Sequence, residues 1–136
     1  TGTGIAPMRG MIQRRLRRDG ERGGPMLLLY GGRSREELPY ADEIDACNVA
    51  RLDRRIAYSR VDGAPKRYVQ HLVDDAAPRI AEFVLHRGAC IYVCGLAAME
   101  HAIDAALGRA VTAAGADWTR VRTALVEQGR YHVEVY

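Results

Sequence analysis

The sequence predicts an α/β domain built on a doubly wound parallel sheet, and two features of the chain favour this class. Short apolar runs alternate with longer helical stretches, as strands alternate with helices in such domains. Most of these runs are continuously apolar, which is typical of parallel strands covered by helices on both faces. The chain has 136 residues, 48% of them hydrophobic, which suits one ordinary core. We therefore expect residues 1–136 to form one domain.

Four strands and six helices can be assigned from these patterns. The strands are expected at 26–30, 55–59, 89–94 and 132–136, the last with the strict alternation of a half-covered strand. The helices are expected at 8–18, 40–52, 68–75, 78–86, 98–114 and 118–127. Pro7 stands where a first helical turn tolerates proline. The acidic residues Asp42, Glu43 and Asp45 are expected on a solvated helix face.

The opening segment Thr1-Gly2-Thr3-Gly4 predicts a further strand. A glycine-rich turn that leads into a helix normally follows a β-strand. No apolar run precedes this turn in the sequence. We therefore expect a central strand upstream, which makes the complete sheet five-stranded and Rossmann-like, with helices on both faces.

Composition and charge exclude several classes of function. The net charge of +3 and the pI of about 8.9 are too mild to indicate nucleic-acid binding. No run approaches the roughly 18 to 20 apolar residues of a membrane helix. The three cysteines form no C-x-x-C pair and suit reduced thiols in a cytoplasmic protein. His101 and His132 lack partners at metal-binding spacing, and no metal site is expected.

The first candidate site is the segment Thr1 to Pro7. Gly2 and Gly4 allow a backbone to approach a ligand closely, and the helix that follows presents free N–H groups to a phosphate. Thr3 adds a hydroxyl. The segment is not a G-x-G-x-x-G fingerprint, and an ordinary glycine-rich loop is the alternative interpretation.

The second candidate site follows the predicted strand 55–59. Ser59, Arg60, Lys66 and Tyr68, with Gln70 alongside, bring a hydroxyl, a guanidinium, an ammonium and a phenol close together. Such groups bind a phosphate monoester well, and the carboxyl end of a strand is where open α/β sheets bind ligands. The tyrosine ring also suits stacking on adenine. A polar loop without a ligand is the alternative.

The third and fourth candidate sites are the segment from Cys94 to Met99 and the carboxyl terminus. Cys94 ends a predicted strand, and Gly95 lets the chain turn beside a ligand. Tyr136 ends the chain at the tip of a strand, where an aromatic ring can serve as a movable lid. A core cysteine and a frayed terminus are the alternatives.

Taken in order, these segments resemble the NADP(H)-binding domain of plant-type ferredoxin–NADP reductases and the related diflavin reductases. The matching segments are T-G-T-G-I-A-P-M-R-G, Y-S-R with K-R-Y-V-Q, V-C-G-L-A-A-M-E-H-A-I-D and H-V-E-V-Y. They cover the whole chain in the family's order. The third segment and the ending are more similar to the plant-type branch.

The resemblance implies a role for each candidate residue. Gly2, Thr3, Gly4 and Pro7 match the binding site of the pyrophosphate and the nicotinamide half. Ser59, Arg60, Lys66, Tyr68 and Gln70 match the site of the 2′-phosphate and adenine, and Gly95, Leu96 and Met99 match a loop that lines the dinucleotide. Cys94, Glu134 and Tyr136 match the catalytic positions beside the nicotinamide and over the flavin.

The resemblance also implies cofactors and partners. The family transfers a hydride between NADP(H) and FAD, and it binds FAD mainly on a preceding β-barrel domain that is not part of this chain. Ferredoxin, flavodoxin or an oxygenase component then exchanges electrons with the flavin. Two alternatives stay open: the reductase component of an oxygenase or diflavin system, and a noncatalytic module that senses NADP. Neither a nucleic acid nor a membrane is expected as a partner.

Overall fold

A computed structural model describes residues 4–18, 23–47 and 50–136. The chain divides into two compact units, Thr1–Tyr68 and Val69–Tyr136. Each unit pairs two parallel strands and packs helices against its own core.

The first unit contains helix α1 (Ile5–Arg18), strand β1 (Met26–Gly32), helix α2 (Ala41–Asp45) and strand β2 (Leu52–Tyr58). The two strands are parallel, with Met26 opposite Leu52 and Gly32 opposite Tyr58. Their core is a cluster of buried side chains contributed by both strands, both helices and the loop after β1. Its members are Ile5, Leu28, Tyr30, Leu38, Ile44 and Leu52.

The second unit contains four helices and two parallel strands. Helices α3 (Val69–Asp75) and α4 (Ala77–His86) precede strand β3 (Ile91–Gly95). Helices α5 (Ala97–Ala113) and α6 (Trp118–Glu127) follow, and strand β4 (Tyr131–Val135) pairs with β3.

Helix α5 is the central element of the second unit, since it contacts both strands and the other three helices. Its side chains Ile103, Ala106, Leu107, Ala110 and Val111 are buried. The helix begins directly after β3, so its first turn lies at the carboxyl end of the β3–β4 pair.

The α/β class and the parallel strands predicted from the sequence are confirmed. The described residues form two two-stranded sheets, β1–β2 and β3–β4, so the predicted five-stranded sheet is not observed as such. Helix α6 occupies the predicted residues 118–127. Its first turn is capped by Asp117, whose side chain accepts a hydrogen bond from the Arg120 N–H at 3.2 Å.

The predicted boundary between the second helix and the second strand was wrong, because the helix expected at 40–52 ends at Asp45 and Leu52 begins β2. The charged run Asp53-Arg54-Arg55 concealed the start of this strand. In the structure those charges are compensated by ion pairs: Arg55 lies 3.1 Å from Asp53, and Arg54 lies 3.1 Å from Asp45. The strand therefore extends three residues further toward its amino end than the apolar pattern indicated.

Candidate functional site at the carboxyl ends of the strands

The glycine-rich segment at the amino end is described only in part. Gly2 and Thr3 lie outside the described residues. Gly4 is buried immediately before α1, and Pro7 is an exposed residue in the first turn of that helix. The expected order of glycine turn and helix is therefore present for the residues that the structure describes.

The carboxyl ends of β1 and β2 place several predicted phosphate-binding residues on one loop of the first unit. Ser59 follows β2 directly; its N–H and hydroxyl both bond the Gly32 carbonyl, at 3.0 and 3.3 Å. The Arg60 N–H donates to the Arg33 carbonyl at 2.8 Å. The Arg67 N–H returns to the Tyr58 carbonyl at 3.0 Å and closes the loop. This closure keeps Lys66 and Tyr68 near the end of β2.

The surroundings of Arg60 and Lys66 contrast with those of the arginines in the same unit that pair with carboxylates. Arg35 bonds Asp45 at 2.8 Å, and Arg54 bonds the same carboxylate at 3.1 Å. The Arg35 hydrogen bond lowers the pKa of Asp45, and Arg54 adds to this effect. In contrast, the exposed side chains of Arg60 and Lys66 form no ion pair with any described residue. Their charges are therefore available to an anion.

The acidic residues of α2 were expected on a solvated helix face; Asp42 is exposed, whereas Glu43 and Asp45 are partly buried in ion pairs. Glu43 pairs with Arg9 at 2.7 Å and also accepts a hydrogen bond from Gln13. Asp45 pairs with two arginines, as described above. These contacts tie α2 to α1 and to β2, and they use up basic side chains that the sequence alone leaves unassigned.

The carboxyl ends of β3 and β4 bring the predicted catalytic residues together in the second unit. Cys94 on β3 is the register partner of Glu134 on β4. Partners in a parallel ladder lie side by side, about 4.8 Å apart, and point to the same face. The Tyr136 N–H donates to the Gly95 carbonyl at 3.1 Å. Half-buried Cys94, exposed Glu134 and the terminal tyrosine therefore share one edge.

The residues that follow β3 form the turn into α5. Gly95 is buried and has a φ of 155°, a conformation that disfavours residues with a side chain. Leu96 is exposed, and its carbonyl accepts the N–H of Met99 at 2.9 Å. Gln70, predicted alongside the phosphate-binding loop, is a half-buried residue of α3 in the second unit.

Two features of the β3–β4 pair were not found from the sequence. Tyr92 and His132 are register partners whose rings stack with centroids 4.8 Å apart, two residues before Cys94 and Glu134 and on the same face. Side chains two residues apart on a strand lie on the same face, so the sequence shows this arrangement once the pairing of the two strands is known.

The second missed feature is a polar cluster around Asp104 of α5. Its carboxylate accepts hydrogen bonds from the Arg122 Nε at 2.8 Å, the Tyr131 hydroxyl at 3.3 Å and the Trp118 Nε1 at 3.4 Å. Burial raises the pKa of Tyr131 to about 12, and the charge of Asp104 contributes. The run I-D in the third matching segment contains Asp104, but nothing in the sequence connects it with residues 14 to 27 positions away.

Open α/β sheets bind ligands at the carboxyl ends of their parallel strands, which is where Arg60, Lys66 and Cys94 lie in this chain. A family model described as the oxidoreductase NAD-binding domain matches residues 1–105 of the chain. The chain therefore belongs to this family of nucleotide-binding domains of oxidoreductases.

Similarity to individual proteins extends over the whole chain. The ferredoxin–NADP reductase of Thermosynechococcus vestitus is 34% identical over 146 residues, and the chain covers 38% of it. A root isozyme of ferredoxin–NADP reductase from Oryza sativa subsp. japonica is 30% identical, also with 38% covered. The bifunctional cytochrome P450/NADPH–P450 reductase 1 of Bacillus subtilis is 39% identical over 82% of the chain, which covers 11% of that protein.

These comparisons confirm the resemblance predicted from the sequence motifs. The chain spans less than two fifths of the length of the relatives named above. Among the described residues, no helix combines the length and apolar character needed to cross a membrane.

Proposed function

We propose that residues 1–136 are the NADP(H)-binding domain of a flavin-dependent oxidoreductase that transfers a hydride between NADP(H) and FAD. One observation carries this proposal: two exposed cations follow β2 without an ion-pair partner among the described residues, while Cys94 and Glu134 are register partners at the end of β3 and β4. The first arrangement suits an anionic group, and the second suits a reacting ring that must be positioned.

The first unit anchors the nucleotide in this proposal. Arg60 and Lys66 bind the 2′-phosphate, the Ser59 hydroxyl exchanges its hydrogen bond to the Gly32 carbonyl for one to the phosphate, and Tyr68 stacks on the adenine. The residues present fit a phosphate because the loop offers free positive charge and is fixed by backbone hydrogen bonds at both of its ends. Gly2, Thr3, Gly4 and Pro7 bind the pyrophosphate and the nicotinamide half.

The second unit positions the reacting groups. When bound, the nicotinamide and the flavin supply the hydride chemistry, and the flavin is held mainly by a preceding domain. Cys94 and Glu134 orient the nicotinamide, while Gly95, Leu96 and Met99 line its path. Tyr136, whose side chain is 62% exposed, covers the flavin ring and moves aside. Anchoring of the remote phosphate offsets the cost of this displacement and of ordering the nicotinamide.

We also propose that both strand pairs belong to one doubly wound five-stranded parallel sheet with helices on both faces. Isolated two-stranded parallel sheets are rare, because parallel sheets are normally covered on both faces and need several strands for stability. β1 and β3 each pair with one strand among the described residues and thus keep a second edge for a further strand.

The electron partner of the flavin is proposed to be ferredoxin, flavodoxin or an oxygenase component. A second candidate is the reductase part of an oxygenase or diflavin system, favoured by the 39% identity to the Bacillus P450 reductase. Reduction of ferredoxin and of a P450 by the full protein, compared at equal enzyme concentration, distinguishes the two.

Calorimetric titration of the full protein with 2′-phospho-ADP-ribose and then with ADP-ribose tests the proposed nucleotide site. We expect tighter binding of the phosphorylated ligand, and Arg60→Ala should weaken that binding about 10- to 150-fold, since a hydrogen bond to a charged group contributes about 1.5 to 3 kcal/mol. Arg87→Ala is the matched control, because Arg87 is an exposed arginine on the second unit that pairs with Glu82. Equal affinity for both ligands would contradict specificity for NADP(H), and binding of neither would contradict a dinucleotide site.

A further inference from the structure

Strand β4 is held mainly at its first residue. Tyr131 is 8% exposed, whereas the side chains of the following four residues of the strand are all exposed. The register of a strand is specified where burial distinguishes one pairing from another. Within β4, Tyr131 is therefore the side chain whose burial specifies the register with β3.

The buried end of β4 is connected to helices α5 and α6 through Asp104. Three donors converge on its carboxylate: Arg122 and Trp118 from α6 and the hydroxyl of Tyr131 from β4. The Arg122 guanidinium also lies 5.2 Å from the centroid of the Tyr131 ring, and Trp118 meets that ring edge-on at 6.3 Å. Contacts to both the ring and the hydroxyl therefore hold the side chain of Tyr131 in place.

The approach of α6 to α5 also depends on a small residue. A Cβ atom at Gly108 would lie 3.0 Å from Trp118 Cδ1, a closer contact than is usual between carbon atoms. The glycine lets the indole pack onto α5 near Asp104. One carboxylate and one close contact therefore join α5, α6 and the start of β4.

The same strand carries Glu134 near its other end, and Tyr136 directly follows the strand. Glu134 lies three positions after Tyr131 and pairs with Cys94, and the Tyr136 N–H bonds the Gly95 carbonyl. A strand rises about 3.3 Å per residue, so the anchor and the glutamate are separated by about 10 Å. Because a slip in register moves every side chain of a strand, a shift of β4 at Tyr131 would also displace Glu134.

We propose that Asp104 is a positioning residue, which holds Tyr131 and thereby keeps Glu134 opposite Cys94 and the terminal tyrosine at the end of β3. This proposal rests on the proposed function, since it assigns Asp104 a role in the same hydride transfer. Asp104 does not touch the reacting groups; it acts through the register of β4.

Hydrogen exchange of the backbone amides of residues 131–136, in the full protein with FAD bound, tests the anchor. In Asp104→Ala these amides should exchange about tenfold faster or more, because local opening of the strand becomes easier. Asp74→Ala is the matched control, because it also removes a carboxylate that binds an arginine. Asp74 lies on α3 and binds Arg109 of α5 at 2.8 Å, and it has no hydrogen bond or ion pair with the described residues of β4. Unchanged exchange in β4, or equal acceleration throughout the second unit, would overturn the proposal.

Single-turnover hydride transfer from NADPH tests the consequence for the site. Asp104→Ala should lower the rate about tenfold, with affinity for 2′-phospho-ADP-ribose within about twofold of wild type, since positioning and anchoring are separate contributions. Asp104→Asn keeps an oxygen acceptor and should recover most of the rate. Positioning by hydrogen bonds is contradicted if the rate of hydride transfer falls only in proportion to the fraction of folded protein. An equal loss of rate in Asp104→Ala and Asp104→Asn also contradicts it.

These experiments also distinguish a variant that does not fold from a wild-type protein that transfers no hydride. If Asp104→Ala does not fold, Tyr131→Phe removes only the hydroxyl and should show the same effects in smaller degree; no effect in that variant overturns the role of Tyr131. If the wild-type protein transfers no hydride, the proposed function fails, and hydrogen exchange alone then decides whether Asp104 anchors β4.

Discussion

The carboxyl ends of the two strand pairs differ in how their functional side chains are held. At the end of β2, Arg60 and Lys66 are exposed and form no ion pair with a described residue. At the end of β4, Glu134 sits in a register that starts at a buried tyrosine bonded to Asp104. The first edge offers exposed charge, and the second offers a strand whose register begins at a buried side chain.

This difference follows from what each edge is proposed to do. Attraction between a cation and a phosphate falls slowly with distance, so flexible side chains can bind an anion without exact placement. Hydride transfer requires near van der Waals contact, and a displacement of about 1 Å is costly. Binding therefore tolerates exposed cations, whereas the chemistry needs a strand whose register is fixed by packing.

The largest expected effect that separates the two edges is that of Cys94→Ala in the full protein. The change should lower the single-turnover rate of hydride transfer about 100-fold, because the nicotinamide loses a neighbour that orients it. The dissociation constant for 2′-phospho-ADP-ribose should stay within about threefold, since the phosphate is anchored at the other edge. Stopped-flow absorbance of the flavin and calorimetry measure the two quantities.

The matched control for that variant is Cys90→Ala. Cys90 is an exposed free cysteine just before β3, so the control removes the same thiol at a position outside the proposed site. An equal loss of rate in both variants, or a loss of affinity as large as the loss of rate for Cys94→Ala, would contradict the division of roles.

The sequence predicted those elements whose signals are local. Helix α6 was predicted with its observed bounds, since Asp117 caps its first turn and Gly129 follows its end with a φ of 63°. The start of β2 was missed because Leu52 was assigned to the preceding helix and the charged pair Asp53-Arg54 was left outside the strand. Their neutralisation depends on Asp45 and on a neighbour within the strand, which appears only when the chain is folded.

The sequence predicted which residues belong to the candidate site, but it did not predict how they are arranged in space. Motif order placed Cys94 and Glu134 in one site by resemblance, but their pairing is a property of the ladder between strands 40 positions apart. The Asp104 cluster was not predicted at all. Its donors come from α6 and β4, and no periodicity in the sequence relates an aspartate on one helix to a tyrosine at the start of a later strand.

A smaller effect tests how firmly β4 is anchored. An unfolded tyrosine titrates near pH 10, whereas burial raises the pKa of Tyr131 to about 12, so the folded protein keeps the proton over this window. The free energy of unfolding therefore falls as pH rises from 10 to 12. Between about pH 9 and pH 11 wild type should lose about 1 kcal/mol more than Tyr131→Phe, measured by denaturant titration.

Tyr92→Phe provides the comparison for this pH dependence. Tyr92 lies on the neighbouring strand and is exposed, so its removal should leave the loss between pH 9 and pH 11 as in wild type. The same loss in wild type and in Tyr131→Phe would show that the hydroxyl is not protected in solution, and the contrast between the two edges would weaken accordingly.

The smallest expected effect belongs to the carboxyl end of β2. Lys66→Ala should weaken binding of 2′-phospho-ADP-ribose about fivefold, because an exposed ammonium contributes about 1 kcal/mol. The difference should shrink when the ionic strength is raised from about 0.05 to about 0.5 M, since salt screens exposed charges. Lys66→Arg keeps the charge and should bind nearly as wild type. A salt-independent loss, or the same loss in Lys66→Arg, would mean that Lys66 is held in a fixed geometry, and the two edges would then be alike in kind.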